Sequence, residues 1–468
     1  MKYFGIFLFG FLISCSKNEV IPLKTTSRIE LDKIGDLKLR TTHEIQSSMW
    51  SIGGETLDRQ YAVYDYYKDY LTELGAKKIR LQGGWARTES RFGVYNWDWL
   101  DHVIFDLEER SIVPWIQLSY GNPIYFGGGS NLSFKDLPSS PEALKAWDNW
   151  VTEFVTRYKD YVTEWEVWNE PDHKSNHIPA KEYADFYIRT AEIIKIIQPS
   201  AKVFAISSSS LSVEYFNTFL LHLSTKAKLE LVDAMTYHGY PEIPEKVYPS
   251  VKKLREVILR YSNDIQLIQG ENGAPSQMGP VGALSEIAWT ELKQAKWNLR
   301  RMMGDFKRSI PSNIFTIADL KRPPGWNYKG LLHVDRHDST IIGKKKAFKA
   351  MQHVTSIFDD NIRTIQPSEH NINKSIDIEF FSFSHIKTLD QGIALWQNNE
   401  KPSGENLYKI IDFTAKQVSI ENAVLVDLLD GMIYEVDSSV NSKANETSFF
   451  SIPVYDSPIL IVEKDLIM

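Results

Sequence analysis

From about residue 40 onward, short apolar runs alternate with segments whose apolar residues recur every three or four positions. The first spacing predicts strands and the second predicts amphipathic helices. A first strand is expected near Ile45 to Trp50, followed by a helix from Asp58 through Tyr70 that stops before Gly75. Lys77 to Leu81 is extended, and Asn96 opens a helix carrying Trp99, Val103 and Leu107. Ile112 to Leu118 is a buried strand, and Pro141 starts a helix with Leu144, Trp147, Val151 and Val155 on one face. Glu164 to Asn169 is a strand and Ala180 to Ile197 a helix. Lys202 to Ile206, Leu231 to Tyr237 and Ile265 to Gln269 are further strands, each followed by a helical stretch. Ile314 to Ala318 is the last strand, with a helix near Lys344 to Phe358.

About eight β/α units in sequence predict a (β/α)₈ TIM barrel of the α/β class over residues 40–358. A doubly wound open sheet is the competing architecture. No phosphate-binding glycine pattern follows the first strand, and Gly127-Gly128-Gly129 sits in a loop without the helix such a pattern needs. Over residues 359–468 the texture changes. Short alternating runs at Ile376 to Ser382, Gly392 to Trp396, Lys416 to Ser419 and Ile459 to Val462 are separated by polar turns, which predicts a C-terminal antiparallel β-sandwich. Appended sandwiches often pack as scaffolds without a site of their own.

The N-terminus follows different rules. Phe4 to Ile13 is apolar but short for a bilayer span, and it ends in Leu12-Ile13-Ser14-Cys15. That run resembles the lipobox of bacterial lipoproteins, so residues 1–15 are expected to be a signal peptide with Cys15 as the lipidation site. Cys15 is the one cysteine of the chain, so no internal disulfide can form. Residues 16–39 then read as a tether, with Ile29 to Leu39 able to lend a strand to the sandwich. The expected setting is an exported lipoprotein of the outer membrane, held by that anchor.

Net charge of -7 with no basic block argues against nucleic acid as a partner. Thirteen Trp and 22 Tyr suit a carbohydrate binder, because sugar C–H faces stack on aromatic rings, although most aromatics in a large protein are core.

Residues at the C-terminal ends of barrel strands face the active site of such a fold. Glu170 closes the fourth strand, His238 and Tyr240 follow the sixth, and Glu271 closes the seventh, with Arg80 inside the second. The glutamates are 271 − 170 = 101 positions apart, so only the fold can unite them. Two carboxylates in one pocket are what cleavage of a glycosidic bond requires. Arg80 can face that pocket or neutralise Glu166. Trp50, Trp85 and Trp326, at strand ends or in loops, are candidate sugar-binding walls. The long loop from Tyr120 to Ser140, with Asn122, is a candidate pocket wall. No metal site is expected: His102, His173 and His177 lack matching ligands at metal-binding spacing. No cofactor pattern and no serine-nucleophile elbow occur either.

Trp168-Asn169-Glu170-Pro171 resembles the acid/base motif of glycoside hydrolase clan A, and the chain is most similar to glycoside hydrolase family 39, the β-xylosidase and α-L-iduronidase family. The resemblance spans about residues 40 to 360. The second motif, Gln269-Gly270-Glu271-Asn272-Gly273, departs from the more usual form, which has Thr or Ser before the glutamate and an aromatic after it. The resemblance implies Glu170 as general acid/base and Glu271 as nucleophile. It implies Asn169 on the sugar 2-hydroxyl, Arg80 keeping Glu271 charged, and Tyr240 or His238 orienting it. The implied activity is that of an exo-acting, retaining, β-xylosidase-like enzyme on plant or algal oligosaccharides. Its rivals are an endo-acting clan A xylanase, glucanase or mannanase, and a glycan-binding surface lipoprotein without turnover.

Overall fold

The computed structural model describes residues 25–26, 29–132, 136–175, 177–365, 369–373 and 375–467. The lipobox run with Cys15 lies outside them. Eight parallel strands close into a barrel: β1 Trp50–Gly53, β2 Lys78–Gln82, β3 Val113–Leu118, β4 Glu164–Val167, β5 Lys202–Ser208, β6 Ala234–His238, β7 Gln266–Asn272 and β8 Ser312–Ile314. Helices follow in turn: α1 Tyr64–Leu74, α2 Asp98–Glu109, α3 Pro141–Tyr158, α4 Ala180–Ile197, α5 Val213–Thr225, α6 Tyr248–Leu259, α7 Glu291–Lys307 and α8 Lys346–Ile357. This is the expected TIM barrel, and a parallel sheet closed on itself excludes the doubly wound alternative.

Several boundaries move. β1 begins at Trp50 instead of ending there. Ile45 is buried without being in a strand, in the loop that leads into β1. α1 starts at Tyr64, after a short 3₁₀ turn at Leu57–Arg59, and Gly75 ends it with φ 74°, a conformation that favours glycine.

The barrel interior is layered. Trp115, Phe204, Ala234 and Ile268 form an apolar plug. Strand pairing sets Arg80 opposite Trp115 and Gln117 opposite Glu166, so polar side chains lie beside the plug. Period-two alternation on β4 turns Trp165 and Val167 into the main core under the helices, which leaves Glu164 and Glu166 for the interior.

Two antiparallel sheets form the sandwich. One has seven strands, in the order Ile362–Ile365, Ile378–His385, Gln391–Gln397, Ile459–Glu463, Ala423–Asp427, Met432–Glu435 and Lys33–Asp36. The other is built around Tyr408–Lys416 and Glu446–Tyr455, and Thr25–Thr26 pairs with its Tyr408–Lys416 strand. The segment read as a tether therefore contributes a pair to each sheet. Both faces of the seven-stranded sheet are covered. Phe380, Ile393 and Leu395 pack inside the sandwich, while their neighbours Phe381, Phe383, Ala394 and Trp396 join the barrel's own core.

Helix α7 fills the junction and is buried continuously from Gln294 to Phe306, charged residues included. Its cations find partners on both sides. Arg300 pairs with Glu245, whose Oε1 also accepts from Trp396 Nε1 at 2.9 Å, and Lys296 reaches Asp456 at 2.6 Å. Because Phe381 is fully buried against Phe306 (centroids 5.9 Å), Phe381→Ala is expected to cost about 3–5 kcal/mol. Urea titration should show barrel and sandwich lost in one transition; two separated transitions would contradict the shared core.

Candidate active site

β4 stops at Val167, two residues earlier than its apolar run suggests. Trp168 (φ 67°) and Glu170 (φ 49°) then adopt left-handed conformations that non-glycine residues rarely take. The turn is held from several sides. Trp168 N–H donates to Leu118 O at 3.0 Å and Glu170 N–H to Ser207 O at 3.1 Å. The Trp168 ring is wedged against Tyr120, Trp147 and Phe186. Backbone strain of this kind persists only where the surroundings over-determine it, and it clusters at functional sites.

Arg80 is the hub below this turn. It is fully buried and donates from Nε to Glu166 Oε2 at 2.9 Å, and from Nη1 to Glu55 Oε1 at 2.8 Å and Glu271 Oε2 at 3.4 Å. Its Nη2 donates to Asn169 Oδ1 at 3.1 Å and Ser207 Oγ at 3.0 Å. The alternatives for Arg80 are thus both realised: it neutralises Glu166 and it touches Glu271. Gln117 ties the layer together, donating to Glu166 Oε2 and Asn169 Oδ1, each at 3.0 Å. Burial alone would push the guanidinium down, but Glu166, Glu55 and Glu271 outweigh it and hold it charged.

Glu271 accepts from Tyr240 Oη at 2.6 Å. Burial raises its pKa, yet His238, Arg80, the Tyr240 hydrogen bond and Lys329 together bring it below the usual glutamate value. His238 lies between the two glutamates, with Nδ1 2.8 Å from Glu170 Oε1 and 3.7 Å from Glu271 Oε2. Its Nε2 is 2.9 Å from Ser207 Oγ, whose proton goes to Asn169 Oδ1. Both ring nitrogens therefore have a hydrogen-bonding partner. Burial opposes a charge on the ring, while Glu271 and Glu170 outweigh it and raise the histidine above its ordinary value.

Ligating atoms of Glu170, His238 and Glu271 all lie within 4.8 Å of one another. A cation could in principle bridge such a trio, against the expectation of no metal site.

Two hollows meet at the glutamates. A small one of about 70 Å³ is lined by Glu55, Gln82, Tyr120, Asn169, Glu170 and Glu271 among others. A larger one of about 710 Å³ opens on the side of His238, Tyr240, Phe315 and Lys329.

The structure therefore brings Glu170, Glu271, Asn169, Arg80, His238 and Tyr240 together, and corrects the other candidates. Trp50 is at the opposite end of β1, its Nε1 donating to Phe358 O at 2.7 Å. Trp85 is fully buried, stacked with Tyr125 and bonded to Glu89 at 2.6 Å, so it packs the wall and offers no face to a sugar. Asn122 is buried and spends its amide on Glu89 O at 2.8 Å, a loop staple. Trp326 is half-buried in the hairpin of Leu320–Arg322 and Gly325–Asn327; its neighbours Arg322 and Asn327 line the larger hollow and it does not. Glu55, Gln82, Gln117, Tyr120, Ser207 and Lys329 went unread. The two glutamines were legible, since Gln82 is two residues beyond Arg80 on β2 and Gln117 faces it on β3.

The unusual flanks of Glu271 also have a physical reason. A Cβ on Gly270 would come within 3.2 Å of Thr236 Cβ, so Thr236, whose hydroxyl donates to Glu166 Oε1, occupies the space a larger residue would need. Asn272 is buried and its Nδ2 joins Gln269, Ser312 and Asn313 O, tying β7 to β8.

Such a barrel, with paired glutamates at its mouth, defines a glycoside hydrolase, and the comparisons agree. Residues 72–269 match the model of glycosyl hydrolases family 39. The chain is similar in structure to a family 39 glycoside hydrolase from the gut symbiont Bacteroides cellulosilyticus WH2, with TM-score 0.66 and 16% identity over 90% of this chain and 81% of that one. It is similar to a family 39 enzyme from Xanthomonas axonopodis pv. citri (TM-score 0.59, 15% identity, 91% and 95% covered). A monomeric β-xylosidase from Caulobacter crescentus CB15 is also similar (TM-score 0.56, 15% identity, 92% and 98% covered). Identities this low speak for the fold alone. No curated protein sequence matches the chain. The likeness to family 39 therefore holds, carried in sequence by 269 − 72 + 1 = 198 of 468 residues and in fold by the barrel and sandwich together.

Tyr240→Phe removes one of the interactions that hold Glu271 ionised, so its pKa is expected to rise. Carboxyl ¹³C NMR titration of the wild type and the variant measures this, and an unmoved or lower value would contradict the hydrogen bond's role.

Proposed function

We propose that this glycoside hydrolase is a retaining, exo-acting β-glycosidase of β-xylosidase-like specificity, with Glu170 as acid/base and Glu271 as nucleophile. The observation that carries the reading is the spacing of the two carboxylates. Nearest oxygens within 4.8 Å sit closer to the about 5–5.5 Å between carboxyl groups that double displacement needs than to the about 6.5–9.5 Å of inverting enzymes.

In this reading Glu271 attacks the anomeric carbon while Glu170 gives its proton to the departing glycosidic oxygen. The covalent glycosyl ester is then opened by water, whose proton returns to Glu170, and the sugar leaves with its original anomeric configuration. The low pKa of Glu271 keeps the nucleophile charged. Asn169 gives one amide hydrogen to Tyr120 Oη at 2.9 Å, and its second serves the sugar 2-hydroxyl. The small hollow supports exo action: Arg59, Tyr120 and Leu132 stand between it and a separate hollow of about 320 Å³, so the glycone end is walled. The larger hollow then receives the leaving group.

A panel of aryl β-glycosides tests the reading. The β-xyloside is expected to be cleaved, with the β-anomer appearing first in the proton NMR spectrum; an α-anomer first would exclude the mechanism. The export reading rests on Leu12-Ile13-Ser14-Cys15. Labelled palmitate is expected to enter the full chain and to be absent from Cys15→Ser; equal labelling of the two would refute lipidation at Cys15.

A further inference from the structure

Leaving aside the two glutamates, the side chains with a full charge that line the larger hollow are all basic: Lys174, Arg322 and Lys329. This stands out in a chain of net charge -7. Lys329 is the unusual member. It is 2% exposed, its Nζ donates to Ala283 O, and it sits 4.7 Å from the centroid of the Tyr240 ring. Among the described residues no carboxylate lies within ion-pair distance of it; Glu271 and Glu286 act only from further away. Burial accordingly brings the amine down to about 7.

The amine is held where it is by deliberate packing. Asn327 Oδ1 accepts from Lys329 N at 3.1 Å. Gly282, at φ +98°, closes over the pair so tightly that a Cβ there would lie 2.7 Å from Asn327 Nδ2 and 3.3 Å from Lys329 Nζ. Burying an ammonium without a counter-charge is costly, and a second cation, Arg322, adds to the cost. Both costs fall when an anion enters the hollow.

We propose that the larger hollow binds a glycan bearing an anionic substituent, a carboxylate or a sulfate ester, held between Lys329 and Arg322. That this hollow receives the leaving group rests on the glycosidase reading above; the binding of an anion there does not. The competing role for Lys329 is support of the charge on Glu271 alone, which needs no ligand.

Isothermal titration calorimetry of the full chain separates them, with inorganic sulfate, D-glucuronate and D-glucose as probes at low salt and about pH 6, where a lysine of this kind carries its charge. At least one anion is expected to bind where glucose does not. Lys329→Met and Arg322→Gln are each expected to weaken that binding by about tenfold, the worth of one charge-assisted contact. Arg322 is exposed, so its variant keeps the test valid if Lys329→Met fails to fold. Binding of sulfate alone assigns a sulfate ester, and binding of glucuronate alone a uronate. Anions that bind no better than glucose, or that bind both variants as they bind wild type, overturn the proposal. Aryl glycoside turnover is read separately, so either result can fail without the other.

Discussion

Arg80 is fully buried, and a guanidinium so placed must be matched by carboxylates. Glu166 and Glu55 meet it inside the barrel, and Glu271 meets it at the mouth. Much of the site follows from this requirement. Glu166 is shared with Gln117 and Thr236, which orient it. Asn169 and Ser207 take the remaining donors of Arg80 and pass the network on to His238. The two glutamates at the mouth are therefore linked through one continuous set of hydrogen bonds, with different surroundings on each side. Glu271 faces cations and a phenol, while Glu170 sits on a strained turn against the His238 ring.

Glu55 shows what such a network costs. Its Oε1 is bonded to Arg80, but among the described residues its buried Oε2 has no partner, and burial with the nearby Glu271 charge raises it to about 7. One guanidinium cannot fully satisfy three carboxylates. The barrel tolerates the shortfall at the wall of the small hollow, where a polar ligand would sit.

The (β/α)₈ order was legible because strand and helix periodicities differ and alternate cleanly along the chain. The six residues that meet at the site were legible because a parallel barrel gathers strand ends. What escaped has a common cause. Trp50, Trp85 and Trp326 carry no mark that separates a ring packed in a wall from one offered to a sugar. The left-handed turn at Trp168 and Glu170 is imposed by Leu118, Ser207 and three aromatic rings, none of them adjacent in sequence. Lys329 and Glu55 lie in loops, where no periodicity says which way a side chain points.

The pairing of Lys33–Asp36 with Met432–Glu435 has a consequence for the order of synthesis. Lys33 is partnered with Tyr434, 434 − 33 = 401 positions later. A strand made early is thus among the last to find its neighbour, and the seven-stranded sheet keeps an open edge until nearly the whole chain exists. Helix α7 waits as well, because Asp456, the partner of Lys296, is made 160 residues after it. Contacts this distant make for slow folding and leave apolar surface exposed meanwhile. The catalytic barrel is consequently not a unit that matures first and receives its sandwich afterwards; its helix α7 settles only when the end of the chain arrives.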